Sequence, residues 1–86
     1  MNIIQLTSII KEKIEKNVTT ESIQVEDKTF LHQKHKNHKD GRFHLRITIK
    51  SNELKKISKI ESNKKIYKIL TDEIKEYIHS IQILII

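Results

Sequence analysis

Strict alternation of apolar and polar side chains over residues 43–50 is the feature of this sequence that most restricts its fold. The apolar positions are Phe43, Leu45, Ile47 and Ile49, and the polar positions are His44, Arg46, Thr48 and Lys50. A period of two places the two sets on opposite faces of a β-strand, so one face is predicted to cover a core. The chain has 86 residues and no cysteine, so this core must hold the fold without disulfides, and eighteen isoleucines supply most of it.

The other elements are predicted from the same kinds of periodicity. Apolar residues at three- and four-residue spacing predict a helix over Ile3–Glu15, and alternation predicts a strand over Ser22–Asp27. A last strand is predicted over Ile78–Ile85. One face of this strand is expected to carry His79, Ile81, Ile83 and Ile85.

Two serines are candidate helix N-caps between the second and third strands. Ser51 is predicted to cap a short helix that begins at Asn52, and Ser62 a longer helix that runs through about Glu76. Lys28–Gly41 contains the only glycine and few core residues, and it is predicted to be a long loop.

The resulting order, α-β-β-α-α-β, predicts a single domain over residues 1–86. A helical connection between the second and third strands is typical of parallel neighbours. The predicted fold class is therefore α/β, with a three-stranded mixed sheet and helices on one face. The other face carries Arg46, Thr48 and Lys50 and is expected to be open to solvent or a partner.

The charge of the chain favours acidic partners or nucleic acid. Seventeen basic residues against eleven acidic ones give a net charge of +6, but only two of the basic residues are arginines. Arginine is the side chain that most often reads base edges, so its scarcity weakens sequence-specific recognition. The longest apolar run, Ile83–Ile86, is far shorter than a membrane span, and no signal peptide is recognised. A cytoplasmic protein that does not bind membranes is therefore expected.

Catalytic motifs are not found in the sequence. One glycine cannot build a phosphate-binding loop, and no serine or threonine is tied by spacing to a histidine and an acid. The chain is therefore interpreted as a binding protein rather than an enzyme.

Five histidines are the candidate ligands of a metal. His32, His35, His38 and His44 lie close together in sequence, whereas His79 lies far away at the start of the last strand. Because the chain has no cysteine, an iron–sulfur centre held here would need thiolates from another molecule. The three-residue spacing of His32, His35 and His38 also suggests zinc, but structural zinc sites usually include cysteine, and this alternative is disfavoured.

Several segments, taken in their order, resemble the BolA family over essentially the whole chain. They are Val25-Glu26-Asp27, His32-x-x-His35, His44-Leu45-Arg46-Ile47-Thr48-Ile49, Ser51 and Ile78-His79-Ser80-Ile81. The resemblance implies a fold similar to a class II KH domain, although the Gly-x-x-Gly loop of that domain is absent. The chain departs from the family pattern at Leu54 (usually phenylalanine), at Lys56 (usually glycine) and at Ser62-Asn63-Lys64 (usually Arg-His-Arg).

The resemblance implies an adaptor that pairs with a monothiol glutaredoxin and shares a [2Fe–2S] cluster with it. His79 is then one cluster ligand and His32 the second, with His35 as its alternate, while the partner's cysteine and glutathione supply sulfur. His44 is expected to support the site and His38 to have no role. Alone, the protein is expected to carry no cofactor and to be a monomer, with a homodimer as the alternative.

The alternative function is that of a nucleic-acid-binding transcriptional regulator, with DNA as the partner. It would act through the basic helical region 55–68. The residues concerned are Lys55, Lys56, Lys59, Lys64, Lys65 and Lys68.

Overall fold

A computed structural model describes residues 1–29 and 42–86 of the chain. The described elements are, in order, α1 (Ile3–Asn17), β1 (Ser22–Asp27), β2 (Phe43–Lys50), α2 (Asn52–Lys55), α3 (Lys59–Ile69), α4 (Thr71–Glu76) and β3 (Ile78–Ile85). The bounds predicted for the three strands are confirmed. The first helix begins at Ile3 as predicted and ends two residues beyond Glu15.

The three strands form one mixed sheet, as the sequence predicts, and their order is β1-β2-β3. β1 pairs with β2 in antiparallel orientation, with Val25 opposite Ile47. β2 pairs with β3 in parallel orientation, with Ile47 opposite Ile83. β2 is therefore the central strand, and β1 and β3 are the two edges.

The core lies between one face of the sheet and the helices. Leu45, Ile47 and Ile49 of β2 point into it. Leu6, Ile10 and Ile14 of α1 are fully buried in the same cluster. α2 and α3 contribute Leu54 and Ile66. Because every one of these side chains is aliphatic, hydrophobic burial and close packing hold the domain together.

On the opposite face of the sheet, Arg46 and Thr48 are half-buried and Lys50 is exposed. Arg46 Nε–H donates to Gln82 Oε1 of β3 over 3.2 Å. This face is therefore polar and accessible to solvent at Lys50, as the alternation predicts.

The prediction that Ser62 caps a single helix through Glu76 is wrong. The N-cap of α3 is Ser58, whose Oγ accepts from the backbone N–H of Glu61 over 3.1 Å. Ser62 lies inside α3, is buried, and donates to the carbonyl of Lys59 over 2.9 Å. The helical stretch is also divided, because Leu70 between α3 and α4 departs from helical backbone angles, with φ −100° and ψ 19°.

The prediction that His79 shares a face with Ile81, Ile83 and Ile85 is also wrong. Phe43 lies opposite Ile78, but the next residue of β2, His44, lies opposite Ser80. His79 is therefore the extra residue of a bulge. A bulge shifts the alternation by one residue, so Ile78 takes the core position and His79 is exposed.

A partly buried ion pair joins α1 to α4. Lys13 Nζ lies 2.7 Å from Glu73 Oε2, and the Glu73 side chain is 7% exposed. The hydrogen bond to Glu73 raises the pKa of the Lys13 ammonium above its usual value. The stability that this pair contributes is present below the usual lysine pKa, and it is lost as the pH rises through the raised value.

None of the helices in residues 1–29 and 42–86 has the length and apolar character needed to cross a membrane.

Ser58→Ala is expected to lower the free energy of unfolding by about 1 kcal/mol, because the N-cap hydroxyl satisfies a backbone N–H that has no partner within the helix. Ser62→Ala is the matched control, since its hydroxyl bonds only to a carbonyl of its own helix. Urea unfolding of both variants measures the difference. A larger loss for Ser62→Ala than for Ser58→Ala would contradict the observed helix start.

Candidate metal centre

The centre of the candidate site is His79, at the bulge where β3 begins. His79 is exposed and belongs to an edge strand of the sheet. Its ring lies against the ring of His44, with 4.7 Å between the ring centroids and 59° between the ring planes. The bulge therefore brings together two imidazoles that lie 35 residues apart in sequence, and it presents one of them to solvent.

His44 is held in the structure from several sides. Its side chain is buried and its Nδ1 lies 2.6 Å from Ser80 Oγ, the residue opposite it in β3. The backbone N–H of His44 donates to Thr29 Oγ1 over 3.1 Å, and its carbonyl accepts from the N–H of Lys28 over 2.7 Å. His44 is thus held in place by hydrogen bonds to β3 and to the end of β1, and the ring of His79 lies against it.

The chain leaves β1 through a turn that is bonded to His44. The backbone N–H of Thr29 donates to Asp27 Oδ1 over 2.9 Å, and the Thr29 hydroxyl donates to the same oxygen. Because that hydroxyl also accepts from His44, a continuous run of hydrogen bonds connects Asp27 to the start of β2. Thr29, the last residue that the structure describes before Arg42, is therefore hydrogen-bonded to the backbone of His44.

The candidate ligands His32 and His35, and the expected bystander His38, lie outside the described residues. Within the part of the chain that the structure describes, no three histidine, aspartate or glutamate side chains are grouped so that they could hold a metal. A metal bound by His79 would therefore need further ligands from the segment between Thr29 and Arg42 or from another molecule.

A shallow polar hollow of about 200 Å³ lies beside His44 on the outer face of the sheet. Lys28 and Arg46 contribute its positive charges, and Ser80 and Gln82 contribute polar atoms. Lys28 is paired with Glu26 at 3.3 Å, so part of this charge is neutralised locally.

The lysines of the alternative nucleic-acid surface lie elsewhere, on α2, α3 and the turn between them. All six are exposed, and they are Lys55, Lys56, Lys59, Lys64, Lys65 and Lys68. Lys65 Nζ lies 3.5 Å from Glu53 Oε2. The candidate metal ligand and the basic surface therefore belong to different elements, because His79 lies in β3 and the six lysines lie on α2, α3 and the turn between them.

A family model of the BolA-like proteins matches residues 14–86. The chain belongs to the BolA-like family. No curated protein sequence matches it.

Solved structures show the same relationship for this BolA-like chain. The BolA domain of SufE1 from Arabidopsis thaliana is 26% identical, with a TM-score of 0.77, and the match covers 99% of this chain and 92% of that one. BolA1 from Arabidopsis thaliana is 20% identical, with a TM-score of 0.76 and coverage of 91% and 86%. BolA1 from Mus musculus is 17% identical, with a TM-score of 0.71 and coverage of 90% and 60%. The two structures of lower identity support the fold alone.

Sequence reasoning missed two supporting residues of the site in this BolA-like protein. Ser80 was noted only as part of the resemblance, and Thr29 was not singled out, although both hold His44. The role of Ser80 can be recognised only from the register of β2 and β3, since His44 and Ser80 lie opposite each other only when the bulge is included. For Thr29, the signal is the Asp27-x-Thr29 spacing, which is typical of a turn closed by an aspartate side chain.

Thr29→Val is expected to lower the free energy of unfolding by about 1–2 kcal/mol, because it leaves the partly buried N–H of His44 without its acceptor. Thr29→Ser keeps the hydroxyl and is expected to retain most of the stability. Chemical unfolding of both variants measures the difference. Equal stability of Thr29→Val and the parent protein would show that the hydroxyl does not hold the turn to β2.

Proposed function

We propose that this BolA-like protein is an adaptor that binds a monothiol glutaredoxin and co-ligates a [2Fe–2S] cluster through His79. The observation that carries the proposal is the position of His79, which is exposed in a bulge of an edge strand and lies against a fixed imidazole. An exposed imidazole on an edge strand can be approached by a second protein without disturbing the core. Its neighbour His44 limits the orientations open to the ring.

The side chains of this protein that can bind iron fit a cluster shared with a partner protein. They do not fit a cluster held by this protein alone. A [2Fe–2S] cluster takes four ligands, most often thiolates, and imidazoles replace two of them in some centres. This chain has five histidines and no cysteine. Two sulfur ligands would come from the glutaredoxin cysteine and from glutathione, and two imidazoles from this protein. When bound, the cluster supplies iron and sulfide that can be passed on, or a redox-active centre.

The second imidazole of the proposal is that of His32, with His35 as the alternate. His32 is three residues from Thr29 in sequence, and an extended chain spans at most about 3.6 Å per residue. Chain length therefore keeps His32 within about 11 Å of a residue that is hydrogen-bonded to His44. His35 is six residues from Thr29, so the covalent chain restricts it less.

The residues of this chain have separate roles in the proposed complex. His79 would hold the cluster through the lone pair of a ring nitrogen, while Ser80 positions His44, whose ring lies against that of His79. Because a protonated imidazole has no lone pair to donate, acid is expected to weaken cluster binding.

The test is anaerobic reconstitution of the protein with a monothiol glutaredoxin, ferrous iron, sulfide and glutathione, followed by visible absorption and circular dichroism. The mixture is expected to give a spectrum distinct from that of the glutaredoxin alone. His79→Ala should lose this spectrum, because the edge-strand ligand is gone. His32→Ala should weaken or alter it, and His38→Ala is the matched control that should leave it unchanged.

Far-UV circular dichroism of each histidine variant confirms that the fold is retained before the spectra are compared. An unchanged cluster spectrum with His79→Ala would refute the ligand assignment. A mixture that gives only the spectrum of the glutaredoxin alone would refute the adaptor function.

A second candidate function is binding of DNA by the basic surface of α2 and α3. It is supported by the six exposed lysines of this surface, which lie on the same pair of packed helices. Lysines that neutralise phosphates release counterions, so affinity is expected to fall steeply with salt.

Fluorescence anisotropy with labelled duplexes over a salt series tests this function. Replacement of Lys64, Lys65 and Lys68 together by glutamine should lower the affinity and reduce the salt slope. Equal affinity for unrelated sequences at every salt concentration would exclude a sequence-specific regulator.

A further inference from the structure

An apolar groove of about 430 Å³ lies between β3 and the α2–α3 turn, at the end of β3 away from His79. Leu54 and Ile57 line one side of it, and residues 83–86 line the other. Ile57 is 37% exposed and Ile86 51% exposed, so the groove leaves large apolar side chains in contact with solvent. Exposed apolar surface of this kind is typical of an interaction site.

The strand that borders the groove has an open edge. Both backbone groups of Ile86 point toward β2, since its N–H donates to Ile49 of β2 and its carbonyl accepts from Ser51, the residue that follows β2. The carbonyl of Ile81, by contrast, accepts from the Tyr67 hydroxyl and so points away from β2. In a parallel pair, alternate residues direct their backbone groups to the same side. The backbone groups of Ile83 and Ile85 therefore point toward the groove.

Within residues 1–29 and 42–86, β3 pairs only with β2, and no backbone hydrogen bond to the outward groups of Ile83 or Ile85 is present. An unpaired edge beside an apolar groove is the arrangement that accepts an added strand. Main-chain hydrogen bonds would hold the added segment, and its alternate side chains would enter the groove.

The charge around the groove selects the chemistry of that segment. Lys55 and Lys59 are among the described lining residues, and no aspartate or glutamate is among them. Over residues 52–70, six lysines stand against two glutamates, one of which is paired with Lys65. A segment with acidic residues beside its apolar ones would therefore be favoured.

We propose that the edge of β3 and this groove bind an extended, acidic and apolar peptide segment of a partner protein by strand addition. A second copy of this chain fits less well, because it would bring a second set of lysines to the same place. Single-stranded nucleic acid also fits less well, because among the described residues no aromatic ring or arginine lines the groove to stack on bases.

The test uses a short acetylated and amidated peptide in which valines alternate with threonines between acidic ends. Binding is followed by ¹H–¹⁵N correlation spectra and by titration calorimetry with the full chain. The largest shifts are expected at Ile57, Ile83 and Ile85. The same peptide with N-methyl groups on alternate amides keeps its side chains and charge but loses hydrogen-bond donors, and its affinity should fall at least about tenfold.

Matched substitutions distinguish the contribution of the apolar wall of the groove from the contribution of its lysines. Ile57→Ser, at an exposed position, should lower the affinity by removing the apolar wall. Lys55→Gln and Lys59→Gln together should lower it severalfold and reduce its salt dependence. Lys75→Gln, at an exposed lysine of α4 that does not line the groove, should leave it unchanged.

Equal affinity for the N-methylated and parent peptides would overturn strand addition. Tighter binding of oligothymidine than of the peptide at the same residues would assign the groove to nucleic acid and overturn the proposal. If the protein forms dimers in sedimentation experiments, and these dimers bury the same edge of β3, the edge would be assigned to a second copy of this chain. The proposal would then be overturned.

Discussion

The parallel pairing of β2 with β3 is the contact on which the rest of the structure depends. It pairs one edge of the central strand with β3. Leu45, Ile47 and Ile49 of the central strand are enclosed between the resulting sheet and the helices. Its register also contains the bulge, and the bulge decides that Ile78 belongs to the core while His79 belongs to the surface. A one-residue difference in this register would exchange the two side chains.

The same strand also separates two kinds of surface. Where β3 begins, the side chains of His79, His44 and Ser80 form a polar cluster beside the turn at Thr29. Where β3 ends, aliphatic side chains and open backbone groups face the lysines of α2 and α3. About five residues of extended chain, roughly 16 Å, lie between them. The two surfaces are thus carried by one rigid element and yet differ in chemistry.

The strands could be predicted to the residue because a period of two is a strong local signal and each strand packs the apolar residues of one face against the core. The position of His79 could not, because a bulge arises only when residues 43–44 and 78–80 pair, and neither segment encodes it alone. The start of α3 is ambiguous in the sequence, because Ser58 and Ser62 are both residue types that cap helices, although only Ser58 is followed by a glutamate, Glu61, at the capping-box spacing. The placement of His32 and His35, on which half of the proposed ligand set depends, stays a prediction.

The aliphatic core has a consequence for how the protein can be observed. Among the described residues, the fully enclosed core contains isoleucine, leucine and valine but no aromatic ring. The chain has no tryptophan and two tyrosines, and both tyrosines adjoin β3: the Tyr67 hydroxyl donates to Ile81, and Tyr77 immediately precedes the strand. Tyrosine fluorescence therefore originates entirely beside this one strand, and the protein carries an intrinsic optical probe of the strand that bears its two candidate surfaces.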